Sequence, residues 1–473
     1  MSEPDPRRWR ILGVTLVVGF MSLLDVTIVN VALPSIQAGL GTTAATVQWI
    51  VSGYALAFGL TLVTGGRLGD AYGRRRMMLI GLTGFIVSSA AVGLAPTAWV
   101  AVAARLAQGM SAGLLTPQNS GLIQQLFSGD ERGRAFGAFG FTVSVSSAIG
   151  PVLGGLIIAI FGADQGWRYL FLVNVPIGLV ALVLIARMVP GRPSDDGGAQ
   201  GLDLVGAALL GLMVLAVLYP LVGVIGESWW VLLLVALAPP LGWAFVAWER
   251  RVVRRGGAPL LDIALLRHTP GYGNGMAVGA IYFTGFTGVF LVLSVFFQEQ
   301  LGLSALEAGL LVTPFAAGSA VAAPVAGRLV SVIGRRITLI ALSTMLVGLA
   351  GVVAVAPDGT SPVWLLVPPL LVAGLGGGAV VSPNFTLTLR DVPPRMGGAA
   401  GGALQTGQRI GSAIGAALLM SVFRVGLGRG WAPQLALRVT LVSAGVLIAA
   451  ALALAVLDWR RGDRPVPAGT AGG

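Results

Sequence analysis

Gly66-Arg67-Leu68-Gly69-Asp70-Ala71-Tyr72-Gly73-Arg74-Arg75-Arg76 is a short, glycine-broken, strongly basic stretch with one carboxylate. Back to Ile11, and forward from Met77 to Gln118, the chain is mostly apolar. A small loop in that position is a hinge between two membrane spans. Arg74 to Arg76 enter hydrocarbon only at high cost, so they hold the loop on the cytoplasmic side, where short-loop arginines accumulate. Asp70, at a helix end, is placed to accept backbone N–H groups or to pair with a nearby arginine, contacts that can be made and broken.

Composition widens that reading to the whole chain. Of 473 residues, 55% are hydrophobic and 10% charged, and the mean hydropathy is +0.87. Soluble domains carry about 25% charged residues, which argues against a soluble enzyme. Apolar runs predict spans at about 11–32, 46–66, 77–95, 98–121, 136–161, 168–188, 203–225, 228–248, 271–297, 306–330, 336–356, 363–386, 399–421 and 436–458. The expected fold is therefore all-α and polytopic, with fourteen spans. With the N-terminus inside, the inner loops hold Arg67, Arg74–Arg76, Arg132, Arg134, Arg187, Arg192, Arg250, Arg251, Arg254, Arg255, Arg267, Arg328, Arg335, Arg336, Arg390, Arg395, Arg460, Arg461 and Arg464. The outer side holds Arg168 at a span edge, with Arg424 and Arg429 in the penultimate loop. That bias puts both ends in the cytoplasm and the protein in the cell's inner membrane.

The net charge of +11 is spread over short loops and so reads as topology, with no nucleic-acid partner implied. Cysteine is absent and His268 is the single histidine, so thiol chemistry is excluded and no metal is expected. Arg7, Arg8 and Arg10 before an apolar run imitate a signal peptide, but Asp25 and Asn30 within that run favour a retained first span. Trp49, Trp99, Trp167, Trp229, Trp230, Trp248, Trp364, Trp431 and Trp459 fall near expected interfaces.

The basic loop has an echo. Gly327-Arg328-Leu329-Val330-Ser331-Val332-Ile333-Gly334-Arg335-Arg336 repeats its glycines and arginine pair at the same spacing, with Ser331 in place of the acid. The expected division is a six-helix bundle at 11–190, an inserted hairpin at 203–248 without inward charge, a cytoplasmic linker at 249–270 and a second six-helix bundle at 271–458.

Asp25 sits near the middle of the first span, where a carboxylate must be protonated, paired or in a wet cavity. It reads either as a proton carrier or as a structural partner of a neighbouring helix. Arg105, Gly109 and Gly113 recur at i, i+4, i+8 in the fourth span. Arg105 is either the counter-charge of Asp25 or a snorkelling anchor. In the fifth span Ser147, Pro151 and Gly155 share a face, with Gly150 and Gly154 beside them: a kink lined by small residues that suits a gate. Arg409, beside Gln405 and Gln408, is a second intramembrane arginine, set either toward an acidic or carbonyl-rich substrate or toward backbone. Asn30, Tyr54, Phe58, Gln118, Asn119, Asn174, Tyr282, Phe283, Phe286 and Phe290, with Gln405 and Arg409, are candidate cavity residues or ordinary packing, and Asn174, polar within the sixth span, is also placed to hydrogen-bond across helices.

These residues resemble the major facilitator superfamily, specifically its fourteen-helix drug:proton antiporter branch. Gly66–Arg75 resembles the signature between the second and third helices, Leu24–Pro34 the first-helix motif, and Arg105–Gly113 the fourth-helix motif. Gly150–Gly155 resembles the fifth-helix antiporter motif and Trp167–Gly178 a sixth-helix pattern. The resemblance implies that Asp25 and Arg105 serve proton coupling, that Gly66, Asp70, Gly73, Arg74, Arg75 and Arg335 belong to an inner gate, and that Pro151 belongs to the antiport gate. The implied protein is a monomeric secondary transporter, not an enzyme, with the proton as coupling ion and no cofactor. It would export amphiphilic drugs or antibiotics from cytoplasm or inner leaflet, in contact with membrane lipid. Identical machinery serves a dedicated exporter of one endogenous antibiotic, metabolite or siderophore, and the fold also serves proton-coupled importers. One intramembrane acid favours neutral, monocationic or anionic substrates over dications.

Overall fold

The computed structural model describes residues 5–162, 164–191, 203–223, 229–357 and 362–462. All the regular structure among them is helical: α1 (Arg8–Gly39), α2 (Ala44–Tyr72), α3 (Arg74–Gly93), α4 (Ala98–Leu126), α5 (Gly129–Phe161), α6 (Gly166–Leu172), α7 (Asn174–Met188), α8 (Leu204–Gly223), α9 (Ala238–Arg254), α10 (Ala264–His268), α11 (Tyr272–Val295), α12 (Ala305–Ile333), α13 (Arg336–Ala354), α14 (Val367–Thr388), α15 (Gly397–Gly428) and α16 (Pro433–Gly462). The connection between the first expected bundle and the hairpin, residues 192–202, lies outside the described residues.

Among the described residues, eleven helical segments are long and apolar enough to cross a membrane, twelve if bent α5 counts as one span. The remaining two expected spans are the hairpin. Its first helix is apolar but short, over Leu204–Pro220. Its second arm begins as a 3₁₀ turn over Trp229–Leu237 and becomes α-helical only at Ala238, where Pro239 and Pro240 occupy the first turn. Large apolar side chains such as Ile80, Val87, Val180, Val332 and Val347 face outward across the bundle, which suits contact with lipid and makes this a polytopic membrane protein.

The basic stretch differs from the expected loop. Helix α2 runs through Gly66 and Gly69 to Tyr72, and Gly73 alone breaks the path, at φ +95°, before α3 starts at Arg74. Gly66 and Gly69 are there for close approach instead: a Cβ on Gly66 would stand 2.1 Å from the Gly398 carbonyl oxygen, and one on Gly69 would stand 1.9 Å from Gln118. The second copy behaves likewise, with Gly334 at φ +56° between α12 and α13.

Helices α1–α7 pack on one another, as do α11–α16, and α8 pairs with α9 while lying against α2 and α15. The two groups meet through α2 and α4 against α15, and through α5 against α12 and α14. Between helices already in lipid there is little hydrophobic drive, so close backbone packing carries the contact. Gly133 and Gly137 of α5 sit against Gly327 of α12, and Phe385 of α14 packs between Phe136 and Phe139 at 5.6 and 5.3 Å between ring centres. These cross-contacts cluster toward the end that carries Arg74–Arg76.

Candidate functional site

Asp25 is buried inside the first helical group. Helix α4 delivers Arg105 to it because Gly109 and Gly113 let α4 lie almost backbone to backbone on α2: Cβ atoms there would stand 2.4 Å from the Tyr54 oxygen and 2.8 Å from the Phe58 oxygen. The Arg105 guanidinium pairs with Asp25 Oδ2, and both residues are 1% exposed. Arg105 also donates to the Ile50 carbonyl at 2.9 Å and to Gln108 Oε1 at 2.8 Å. Asp25 Oδ1 accepts from Gln108 Nε2 at 3.1 Å and from Asn174 Nδ2 at 3.0 Å. Gln108 Nε2 donates in turn to Ser89 Oγ at 2.6 Å. Asn174 opens α7 at the joint after α6, with Pro176 in the first turn where a missing N–H costs nothing. The Tyr54 ring covers the guanidinium at 4.2 Å and its hydroxyl donates to the Ser22 carbonyl at 2.9 Å.

The arrangement is a sealed ion pair with every carboxylate oxygen engaged, which is what a buried charge needs. Protonating Asp25 would weaken Arg105 and the two amides together, loosening α1 from α4 and α7 in one event. Position inside apolar spans singles out Asp25, Arg105 and Asn174 in the sequence but not Gln108 or Ser89. Gln108 lies three residues from Arg105 on the same helix face, and that was the signal for it. Asn174, read from sequence as a cross-helix hydrogen-bonder or a cavity residue, takes the first role, on this carboxylate.

A second site spans the two groups at the arginine-rich end. Asp70, its side chain fully buried, accepts the backbone N–H groups of Gly398 at 3.1 Å and Ala399 at 2.8 Å, at the start of α15. The partial positive charge of that helix end suits the carboxylate. Arg74 holds Asp70 at 2.9 Å, donates to the Pro394 carbonyl at 2.7 Å and to Gln125 at 3.0 Å, and reaches the Gly121 carbonyl. Gln124 of α4 also donates to the Leu389 carbonyl, at 2.5 Å. Arg335 is not part of this cluster: it pairs with Asp458 of α16, within its own group, and Asp458 also accepts from Asn274 at 2.8 Å. Arg75 likewise turns inward, to the Ala186 carbonyl of α7. Each basic corner is thus tied to the last helix of its own group, and the second copy draws its acid from Asp458, far along the chain.

Helix α5 bends by 42° between Gly129–Ser147 and Val152–Phe161, but its close face differs from the expected one. Ser147 is exposed and donates to its own helix at Val143, and a Cβ on Gly155 would meet nothing within 4 Å. Contact with α1 runs instead through Ser146 and Gly150, whose added Cβ would stand 2.0 Å from Thr27 Oγ1 and 3.2 Å from the Ile28 nitrogen. One residue is 100° of helix, so the stripe of close approach runs 146, 150, 154. Gly154 is buried, whereas the side chains of Pro151 and Asn30 lie outside the described set.

The remaining cavity candidates separate. Gln118 donates to the carbonyls of Gly65 and Leu114, both at 2.8 Å, and is α2–α4 packing. Tyr282, Phe283 and Phe286 stack within the second group with Phe290 and Phe315, and Tyr282 donates to the Gly377 carbonyl at 3.1 Å. Tyr54 and Phe58 of α2 and Gln405 and Arg409 of α15 lie where the groups face each other: the Arg409 guanidinium stands 4.7 Å over the Phe58 ring. Among the described residues no group of His, Cys, Asp and Glu could hold a metal ion.

The sequence profile of the Major Facilitator Superfamily matches residues 15–416. The probable actinorhodin transporter of Streptomyces coelicolor is 37% identical over 428 residues, spanning 89% of this chain and 73% of that protein. The puromycin resistance protein pur8 of Streptomyces alboniger is 36% identical, over 89% of this chain and 82% of its own. The drug efflux pump JefA of Mycobacterium tuberculosis is 34% identical, over 86% and 79%. Among solved structures, the human organic anion transporter MFSD10 (TETRAN) superposes with a TM-score of 0.70 at 17% identity, covering 95% of this chain and all of that one. The proton:xylose symporter XylE gives 0.68 at 17%, covering 97% of this chain and 96% of its own. At that identity the two structures speak for the fold alone.

Proposed function

The chain belongs to the major facilitator superfamily, whose members are secondary active transporters and not enzymes, and we propose that it is a proton-coupled antiporter exporting amphiphilic drugs or antibiotics. Relatives named for antibiotic transport, antibiotic resistance and drug efflux support the substrate class. The observation that carries the mechanism is the sealed cluster in which Asp25 holds Arg105, Gln108 and Asn174 at once.

In the proposed cycle α1–α7 and α11–α16 are the two rocking bundles, α8 and the arm from Trp229 through the apolar start of α9 form an inserted membrane hairpin, and the chain makes fourteen passes with both ends in the cytoplasm. Asp70 and Arg74 then form the cytoplasmic latch. With that latch made, the transporter would be closed to the cytoplasm. A proton arriving from outside neutralises Asp25, frees Arg105, and lets α1 shift against Gly150 of α5. Substrate leaves, the latch opens, and Asp25 releases its proton to the cytoplasm as the next substrate binds.

The test is transport in proteoliposomes under an imposed pH gradient, with wild type and Asp25→Asn. Wild type is expected to concentrate a fluorescent drug only with the gradient, and the variant only to equilibrate it. Concentrative transport by Asp25→Asn would remove Asp25 from coupling, and a gradient-independent wild type would end the antiport reading.

A further inference from the structure

Two arginines stand deep in the helical bundle, and their surroundings differ. Arg105 is saturated by Asp25, Gln108 and the Ile50 carbonyl. Arg409, in the middle of α15, is half-buried, and among the described residues it has neither a carboxylate partner nor a hydrogen bond to protein. Its one close neighbour of note is an aromatic face, Phe58, at 4.7 Å. One turn before Phe58 on α2 stands Tyr54, 6.0 Å ring to ring, which in turn covers Arg105. The two guanidiniums therefore stand over neighbouring buried rings of α2, Arg105 over Tyr54 and Arg409 over Phe58.

An intramembrane arginine is costly and persists where something answers its charge. Ring stacking satisfies the flat face of a guanidinium and leaves its N–H edge free, which is the edge that grips a carboxylate with two parallel bonds. One turn away on the same helix face, Gln405 is 8% exposed and its amide nitrogen makes no hydrogen bond. Gln405 is thus a buried, unpartnered donor one turn from an unpaired cation, and that cation lies over the ring of Phe58, which is itself 1% exposed.

We infer that Arg409, Gln405 and Phe58 form a subsite for the acidic group of a flat aromatic substrate: the ionised acid on the Arg409 edge, a neighbouring carbonyl or hydroxyl oxygen on Gln405, the ring beside Phe58. The inference rests on the export reading only for the direction of movement; the charge preference of the site stands apart from it.

Three probes of equal ring size separate the charges: anthracene-9-carboxylate, anthracene-9-methanol and 9-(aminomethyl)anthracene, titrated onto the purified full-length protein. The carboxylate is expected to bind wild type at least tenfold more tightly than the alcohol and the amine. Arg409→Gln is expected to abolish that preference, and Arg409→Lys to retain part of it. A carboxylate that binds wild type no more tightly than the alcohol, or not at all, overturns the proposal whether or not the variants fold. Retention of the preference by folded Arg409→Gln overturns it too. The same probes in pH-driven proteoliposomes separate the two readings: carboxylate preference in binding with no probe transported would refute export and keep the subsite.

Discussion

Asp70→Asn isolates the latch. The carboxylate is fully buried, and it accepts two backbone N–H groups across the interface, at 3.1 and 2.8 Å, besides Arg74 at 2.9 Å. Hydrogen bonds to a charged group contribute about 1.5–3 kcal/mol each. Asparagine keeps one acceptor oxygen but turns an NH₂ toward the other backbone N–H, so about one such bond is lost along with the favourable meeting of carboxylate and helix end. A loss of about 2 kcal/mol lowers the ratio of latched to unlatched molecules roughly 30-fold. Because the chain has no cysteine, Arg76→Cys and Arg395→Cys, both on exposed positions flanking the latch, can carry spin labels without background. Pulsed electron resonance is expected to give one short distance in the otherwise native protein and an added longer one with Asp70→Asn. An unchanged distance distribution, with unchanged turnover, would refute the latch.

Gly150→Ala is expected to destabilise by about 1–3 kcal/mol through overpacking on Thr27, whereas Gly155→Ala, which meets nothing within 4 Å, should stay within about 0.5 kcal/mol; equal melting temperatures for the two would contradict the register of α5. Gln108→Leu removes a donor from both Asp25 and Ser89 and is expected to shift the pH midpoint of transport while substrate affinity holds; an unmoved midpoint would make Gln108 mere packing. Glu249, just past the apolar run of the hairpin, is fully buried, accepts the Leu260 N–H at 3.3 Å, and is pushed up from 4.5 to about 8 by burial and by the charge of Asp203. Its docked form holds an extra proton between those values, so the clasp is complete at low pH and is lost as pH rises through about 8. Hydrogen exchange at Leu260 and Leu261, corrected for intrinsic rate, should show less protection at high pH in wild type and no such pH dependence in Glu249→Gln.

The polytopic helical pattern and the glycine–arginine repeat could be read from local sequence because hydropathy and loop charge are local properties, whereas of the fourteen expected spans eleven or twelve are long and apolar enough to cross a membrane among the described residues. Asp25, Arg105 and Asn174 stood out for a related reason: a polar group in an apolar run is conspicuous without knowing its partner. Who pairs with whom was another matter. Asp458 answers Arg335 across more than a hundred residues, and the donors to Asp70 are backbone groups of α15, which carry no letter in a sequence. The face of α5 was misjudged by one residue, since Ser147 and Gly155 sit beside Ser146 and Gly154 and small residues occur on both stripes. Gly66 and Gly69 looked like loop breakers because a glycine that permits close approach and one that permits a turn are the same letter.

That the latch closes on the N–H groups of Gly398 and Ala399 has a consequence for how this protein can change. A main-chain donor survives every replacement but proline, so drift on α15 leaves the catch intact as long as the newcomers are small enough for α2 to pass. All chemical vulnerability then lies on the strike side, in Asp70 and the arginine that steadies it. Ala399→Pro would delete the better of the two donors without touching a charge, leaving Asp70 with the Gly398 N–H alone on α15 and loosening the catch while its carboxylates remain as they were.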